Sequence, residues 1–209
     1  MSRIIKILFA YALFLISTST FSQSKYCTTL QDYSSGNWTL LSSGFDLEPT
    51  SGNPLIRMPK STDKAERKEV RKHALVVEYS DTLYISLKQL EAFGEGFTRA
   101  WKMSDGCLLF ARNDISPRGG IGIGIGGSGV VIPFGGLKSK KKLENLVCYI
   151  VSENARNGSP NWTKVTVRMM DDLLHDHPDV SAKYAEYESK RQDDADVVIE
   201  MLSEAGVIE

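Results

Sequence analysis

The sequence predicts an α+β fold in which an antiparallel sheet of about four to six strands is closed by C-terminal helices. Between positions 74 and 152, short apolar runs alternate with turn residues, a pattern typical of β-hairpins. From position 166 the apolar residues recur every three or four positions, which is typical of amphipathic helices. We therefore predict a mainly β domain at 23–163 and a helical hairpin at 164–209, packed on or appended to the same domain.

Residues 1–22 have the features of a secretory signal peptide. Arg3 and Lys6 precede an apolar core of ten residues that is too short to span a bilayer, and a small, polar stretch follows it up to Ser22. We predict cleavage after Ser22, which leaves 187 residues. The expected location is the periplasm, the outer-membrane periphery or the extracellular space.

The N-terminal third of the mature chain leads into the sheet. Residues 24–53 are rich in Ser, Thr, Gly and Asn, and a turn at Gly36 is expected to feed a short strand at Trp38. Residues 49–59 contain three prolines and are predicted to form a loop. The strongly charged residues 60–72 indicate either a short exposed helix or a linker.

Two hairpins form the predicted centre of the sheet. The first joins strands at 74–79 and 82–87 through Ser80 and Asp81, and the second joins strands at 97–103 and 107–111 through a Ser-Asp-Gly turn. A further strand is predicted at 143–152, followed by a turn at Asn157 and Gly158.

Residues 119–137, GGIGIGIGGSGVVIPFGGL, form an uncharged Gly-rich segment between Arg118 and a group of lysines at 138–142. Three interpretations fit it. It could be a strand and loop inside the domain, since bare glycine faces allow close backbone packing. It could contact a membrane, because its nineteen residues approach the length of a membrane span. It also matches the phosphate-binding pattern G-x-G-x-x-G, although no helix start follows.

The two predicted helices come last. The first begins near Thr166 and ends near 175–177, and Pro178 opens the second, which Gly206 closes. Acidic residues at 193–196 allow the second helix to break in two.

Asp171, His175 and His177 form the one tight polar cluster in the sequence. Asp171 and His175 are four positions apart, so a continuous helix would place both on one face, with His177 beyond its end. Carboxylate and imidazole groups suit several transition metals, which makes a metal-dependent hydrolase the alternative function. The competing interpretation is a solvated turn between helices, because a helix C-terminus favours histidine.

Other classes of function find little support. The mature chain carries 23 basic and 26 acidic residues, so no general polycation for nucleic acid is present. Three cysteines in an oxidising compartment suggest one disulfide and one free thiol, although Cys107 and Cys148 could equally be buried and reduced. No nucleophile motif is found, and we assign no catalytic residue and no cofactor.

The order of short motifs resembles a family of uncharacterised exported proteins from Gram-negative bacteria. The motifs that carry this resemblance are Tyr33-x-x-Gly36-x-Trp38, Leu83-Tyr84, the Gly-Phe-Thr-Arg-Ala run at 96–100, the strand at 107–111, the Gly-rich segment, Leu173-Leu174-x-Asp176-x-Pro178 and Tyr184. The resemblance implies no activity, cofactor or site residue.

The favoured function is therefore contact without catalysis, at a membrane surface or with a protein partner of the cell envelope. The Gly-rich segment is the expected contact surface because it is apolar and flanked by basic residues. The predicted contact residues are Ile121, Ile123, Ile125, Val130, Val131, Ile132 and Phe134.

Overall fold

A computed structural model describes residues 23–50, 55–114 and 146–209. Within these ranges ten strands form one sheet. The strands are β1 (Lys25–Cys27), β2 (Thr39–Leu40), β3 (Glu48–Pro49), β4 (Ile56–Arg57), β5 (Val76–Tyr79), β6 (Thr82–Ser86), β7 (Phe97–Lys102), β8 (Leu108–Arg112), β9 (Val147–Glu153) and β10 (Pro160–Lys164). The helices of the same ranges are α1 (Leu30–Ser35), α2 (Lys64–His73), α3 (Val167–Leu173), α4 (Pro178–Ala185) and α5 (Ala195–Glu204). None of these helices is long and apolar enough to cross a membrane.

The sheet is antiparallel, with the order β10-β9-β8-β7-β6-β5-β1-β2, and β4 pairs with both β3 and β7. From β6 to β10 each strand lies beside the strand that precedes it in the chain. Ser80 and Asp81, which join β5 to β6, both have positive φ angles of 49° and 57°. Two successive positive angles are what a type I′ turn requires, and this turn fixes the register of the first predicted hairpin.

The predicted α+β class and the C-terminal helices are confirmed, but the predicted number of strands was too small. The missed strands are β1, β3 and β4, which have two or three residues each, and β10, whereas β2 is the short strand expected after the turn at Gly36. A strand of two or three residues is too short to display an apolar alternation, so only its pairing partners reveal it. In β10 four of the five residues are not apolar, and Trp162 is the one large apolar side chain.

The inner face of the sheet packs around aromatic rings. Phe93, from the β6–β7 connection, lies 5.1 Å from Phe110, 4.9 Å from Tyr149 and 5.0 Å from Trp162 between ring centroids. Helix α1 contacts both β1 and β9. Because five strand spacings of about 4.8 Å would separate these strands on a flat sheet, the sheet must curl around α1 and the aromatic cluster.

The outer face is covered in two places. Helices α3, α4 and α5 pack over β8 and β9, where Met170, Tyr184 and Leu202 contact the cluster that includes Leu109 and Cys148. Helix α5 buries five residues, which are Ala195, Val197, Val198, Met201 and Leu202. The predicted break between the last two helices is present, although it spans 186–194 and so begins earlier than expected.

At the other end of the outer face, α2 and the segment before it cover β1 and β5. Val70 of α2 is fully buried in a cluster with Tyr26, Phe45 and Val77. The helix begins at Asp63, whose carboxylate accepts hydrogen bonds from the N–H groups of residues 65 and 66, both at 2.9 Å. Of the two interpretations of residues 60–72, the helix is therefore the one that the structure supports.

Candidate functional site

The Gly-rich segment belongs to the β8–β9 connection, residues 115–145, which lies outside the described residues together with all seven predicted contact residues. Those seven are Ile121, Ile123, Ile125, Val130, Val131, Ile132 and Phe134. The two ends of this connection are described. Arg112, the last residue of β8, pairs with Val147, the first residue of β9. Both ends therefore leave the sheet side by side.

The end that follows β8 is held by side chains of β9 and β10. The hydroxyl of Tyr149 in β9 donates a hydrogen bond of 3.3 Å to the carbonyl of Asn113. The ammonium of Lys164, at the end of β10, lies 2.9 Å from a carboxylate oxygen of Asp114. Both side chains of this ion pair are about one-fifth exposed, at 20% and 19%. These contacts fix the chain as far as Asp114.

The end that leads into β9 is held by the start of α5. The N–H of Ala195 donates a hydrogen bond of 2.8 Å to the carbonyl of Leu146. The residue before it, Asp194, forms an isolated β-bridge with Val147. Leu146 itself is buried in the cluster beneath the C-terminal helices. Leu146, where the connection joins β9, is thus part of the core between the sheet and the C-terminal helices.

Ion pairs surround these two ends. Lys164 also reaches Asp193 at 3.5 Å, and Arg191 pairs with Asp194 at 3.3 Å and with Asp196 at 2.8 Å. Partly exposed ion pairs contribute about 0–1 kcal/mol each, so their main effect here is to position the chain. Lys164 is 50 positions from Asp114 and 29 positions from Asp193, and ion pairs over such separations have no local sequence signal. The sequence therefore did not predict a role for Lys164 or Asp114.

The cluster of Asp171, His175 and His177 does not form the arrangement that the sequence suggested. Helix α3 ends at Leu173, so His175 lies beyond it and does not share a helical face with Asp171. His177 occupies the N-cap position of α4, without a side-chain capping hydrogen bond. In the part of the chain that the structure describes, no group of three or more His, Cys, Asp or Glu residues is placed to hold a metal ion. The structure therefore supports the turn interpretation over the hydrolase hypothesis.

The cysteines are all free thiols, so the predicted disulfide is not formed. Cys27 belongs to the inner cluster and Cys148 to the outer one, which places the sheet between them. Burial raises the pKa of Cys27 to about 12 and that of Cys107 to about 11, and it raises the pKa of Cys148 as well. Because the thiolate is the nucleophilic form, none of the three thiols is activated for catalysis.

Comparison with known proteins places the chain in a family. The model described as "Family of unknown function (DUF6563)" matches residues 25–209, so the chain belongs to this family. No curated protein and no solved structure matches it. The resemblance noted from the sequence is confirmed as far as a family of unknown function, while export and a Gram-negative origin stay predictions.

Proposed function

We propose that this member of DUF6563 is an exported protein of the cell envelope that acts by contact, with no catalytic step. The contact surface is the Gly-rich segment, and its target is an anionic membrane surface. A protein partner of the envelope is the alternative target. The proposal includes cleavage of residues 1–22 during export.

The observation that carries this proposal is the attachment of the β8–β9 connection. Lys164, Tyr149 and Ala195 fix its two described ends next to each other, and 31 residues of sequence connect those ends. Connections longer than about 15 residues are uncommon in compact domains and are often functional. A fixed base of this kind would attach an apolar contact segment to the body at one defined place.

The composition of the connection supports a membrane surface as the target. Residues 119–137 contain eight large apolar side chains and no charge, while Arg118 and four lysines at 138–142 flank them. A basic residue close to an anionic membrane contributes about 1 kcal/mol of attraction. Apolar side chains that enter the headgroup region add to this attraction in proportion to the area that they bury.

Binding to lipid vesicles tests the proposal. We expect the purified protein to co-sediment with vesicles of phosphatidylglycerol and phosphatidylethanolamine, and replacement of Ile121, Ile123 and Ile125 by serine to weaken binding at least tenfold. Half-burying three isoleucine side chains contributes on the order of 2–4 kcal/mol, which accounts for this loss.

The matched control is Leu40→Ser, which removes an apolar side chain that is 61% exposed elsewhere on the surface. This variant should bind vesicles like the wild type. Equal binding by the triple serine variant would contradict the proposed surface. A different result would point to the protein partner. In that case the wild type would not bind vesicles but would cross-link to an envelope protein, and the triple serine variant would not form this cross-link.

A further inference from the structure

A cavity of about 270 Å³ lies at the start of β7, where α2, β4 and the β6–β7 connection meet. Three cationic side chains line it, from three different elements: Arg57 of β4, Arg71 of α2 and Lys88 after β6. The hydroxyl residue Ser86 and the carboxylate of Glu95 complete its polar lining. The sequence of residues 60–72 indicated only a short exposed helix or a linker, and no binding site.

Among the residues that the structure describes, the three cations have no partner for their charge. Within the described ranges, neither Arg57, Arg71 nor Lys88 forms an ion pair or donates a side-chain hydrogen bond. Other charged residues of α2 do find partners, since Arg67 donates to the carbonyl of Pro59 at 3.2 Å and Glu66 accepts from Ser42 at 2.7 Å. All three cationic residues are exposed to solvent, so their charged groups are free to meet an anion that enters the cavity.

The wall of the cavity depends on a close approach between two backbone segments. Gly96 has a φ angle of +106°, and a β-carbon there would lie 3.0 Å from Leu55 Cδ2 and 3.3 Å from the carbonyl oxygen of Ile56. Its own carbonyl accepts a hydrogen bond of 2.9 Å from the N–H of Leu87. Ser86 is only 2% exposed, so it lies at the buried base of the cavity.

We propose that this cavity binds the phosphate group of a small phosphomonoester. The lining carries three positive charges and one negative charge, which complements a phosphate that bears a charge of about −1.5 to −2 at pH 7. Guanidinium groups match phosphate oxygens with paired N–H donors, and the hydroxyl of Ser86 supplies a further donor. Glu95 is an acceptor, and it would face hydroxyl groups of the organic part.

The size of the cavity limits the ligand. Pockets for drug-sized ligands have volumes of about 300–1,000 Å³, so a cavity of about 270 Å³ suits a compound with few atoms beyond the phosphate. Glycerol 3-phosphate is a suitable probe for the experiment, because it has one phosphate and two hydroxyl groups. The proposal of this site does not rest on the proposed membrane contact.

Isothermal titration calorimetry of the full chain at constant ionic strength tests the proposal. We expect saturable binding of one glycerol 3-phosphate, weaker binding of inorganic phosphate and none of glycerol. Arg71→Gln should weaken binding of glycerol 3-phosphate about tenfold, because it removes charged hydrogen bonds to the phosphate. Glu95→Gln should strengthen binding of inorganic phosphate, because it removes a like charge.

The matched control is Lys72→Gln, which makes the same change of charge at the next residue of α2, outside the cavity. It should alter the affinity less than twofold. An equal loss in Lys72→Gln and Arg71→Gln would overturn the proposal, since it would indicate diffuse attraction to a basic surface. Absence of saturable binding, or tighter binding of the phosphate-free dianion succinate, would also overturn it.

Discussion

Replacing Phe110 by alanine is expected to lower the free energy of unfolding by about 3–5 kcal/mol, as measured by urea denaturation. Phe110 lies in β8, near the middle of the sheet, and its side chain is fully buried. Its ring stacks on Tyr149 at 5.4 Å and meets the edge of Phe93 at 5.1 Å. Alanine would leave a cavity that these rings cannot fill, because each is also held by Trp162.

Leu40→Ala is the control for this measurement. Leu40 lies in β2 at one end of the sheet order and is 61% exposed, so its replacement should change the stability by less than about 0.5 kcal/mol. A loss below about 1 kcal/mol for Phe110→Ala would mean that the aromatic cluster of the inner face is not the main core of the protein.

The part of the fold that could be predicted is the part with local signals. Ser80-Asp81 and Ser104-Asp105-Gly106 mark the turns of two hairpins whose strands are long enough to show their apolar pattern. The strands that were missed, such as β1 and β4, join the sheet through backbone pairing at sites distant in the sequence. Their two or three residues carry no periodicity from which pairing could be inferred.

The site residues show the same limit. Lys164 pairs with Asp114 across 50 positions, and only the folded sheet brings the end of β10 within reach of the residues that follow β8. The cavity is lined by residues of three separate elements, Arg57, Arg71 and Lys88. The sequence therefore could not predict that they lie together. For Asp171 and His175 the sequence predicted a grouping that does not form. Their spacing suggested a shared helical face, but the helix ends before His175.

Deletion of residues 119–137 is expected to abolish vesicle binding and to leave the body folded. The deletion removes all seven predicted contact residues and retains Arg118 and the lysines, so it separates the apolar contribution from the basic one. It shortens the β8–β9 connection from 31 to 12 residues, which still join two adjacent strand ends. Residual binding equal to that of the wild type would assign the contact to the basic residues or to another surface.

The free energy of unfolding of this deletion variant tests the central claim, that the Gly-rich segment serves an external contact and adds nothing to the core. If the claim is right, the variant is as stable as the wild type or more stable by about 0.8 kcal/mol, since a shorter connection costs less entropy to close. If the segment packs inside the body, the loss of its eight large apolar side chains should lower the stability by several kcal/mol. That result would contradict the proposed function.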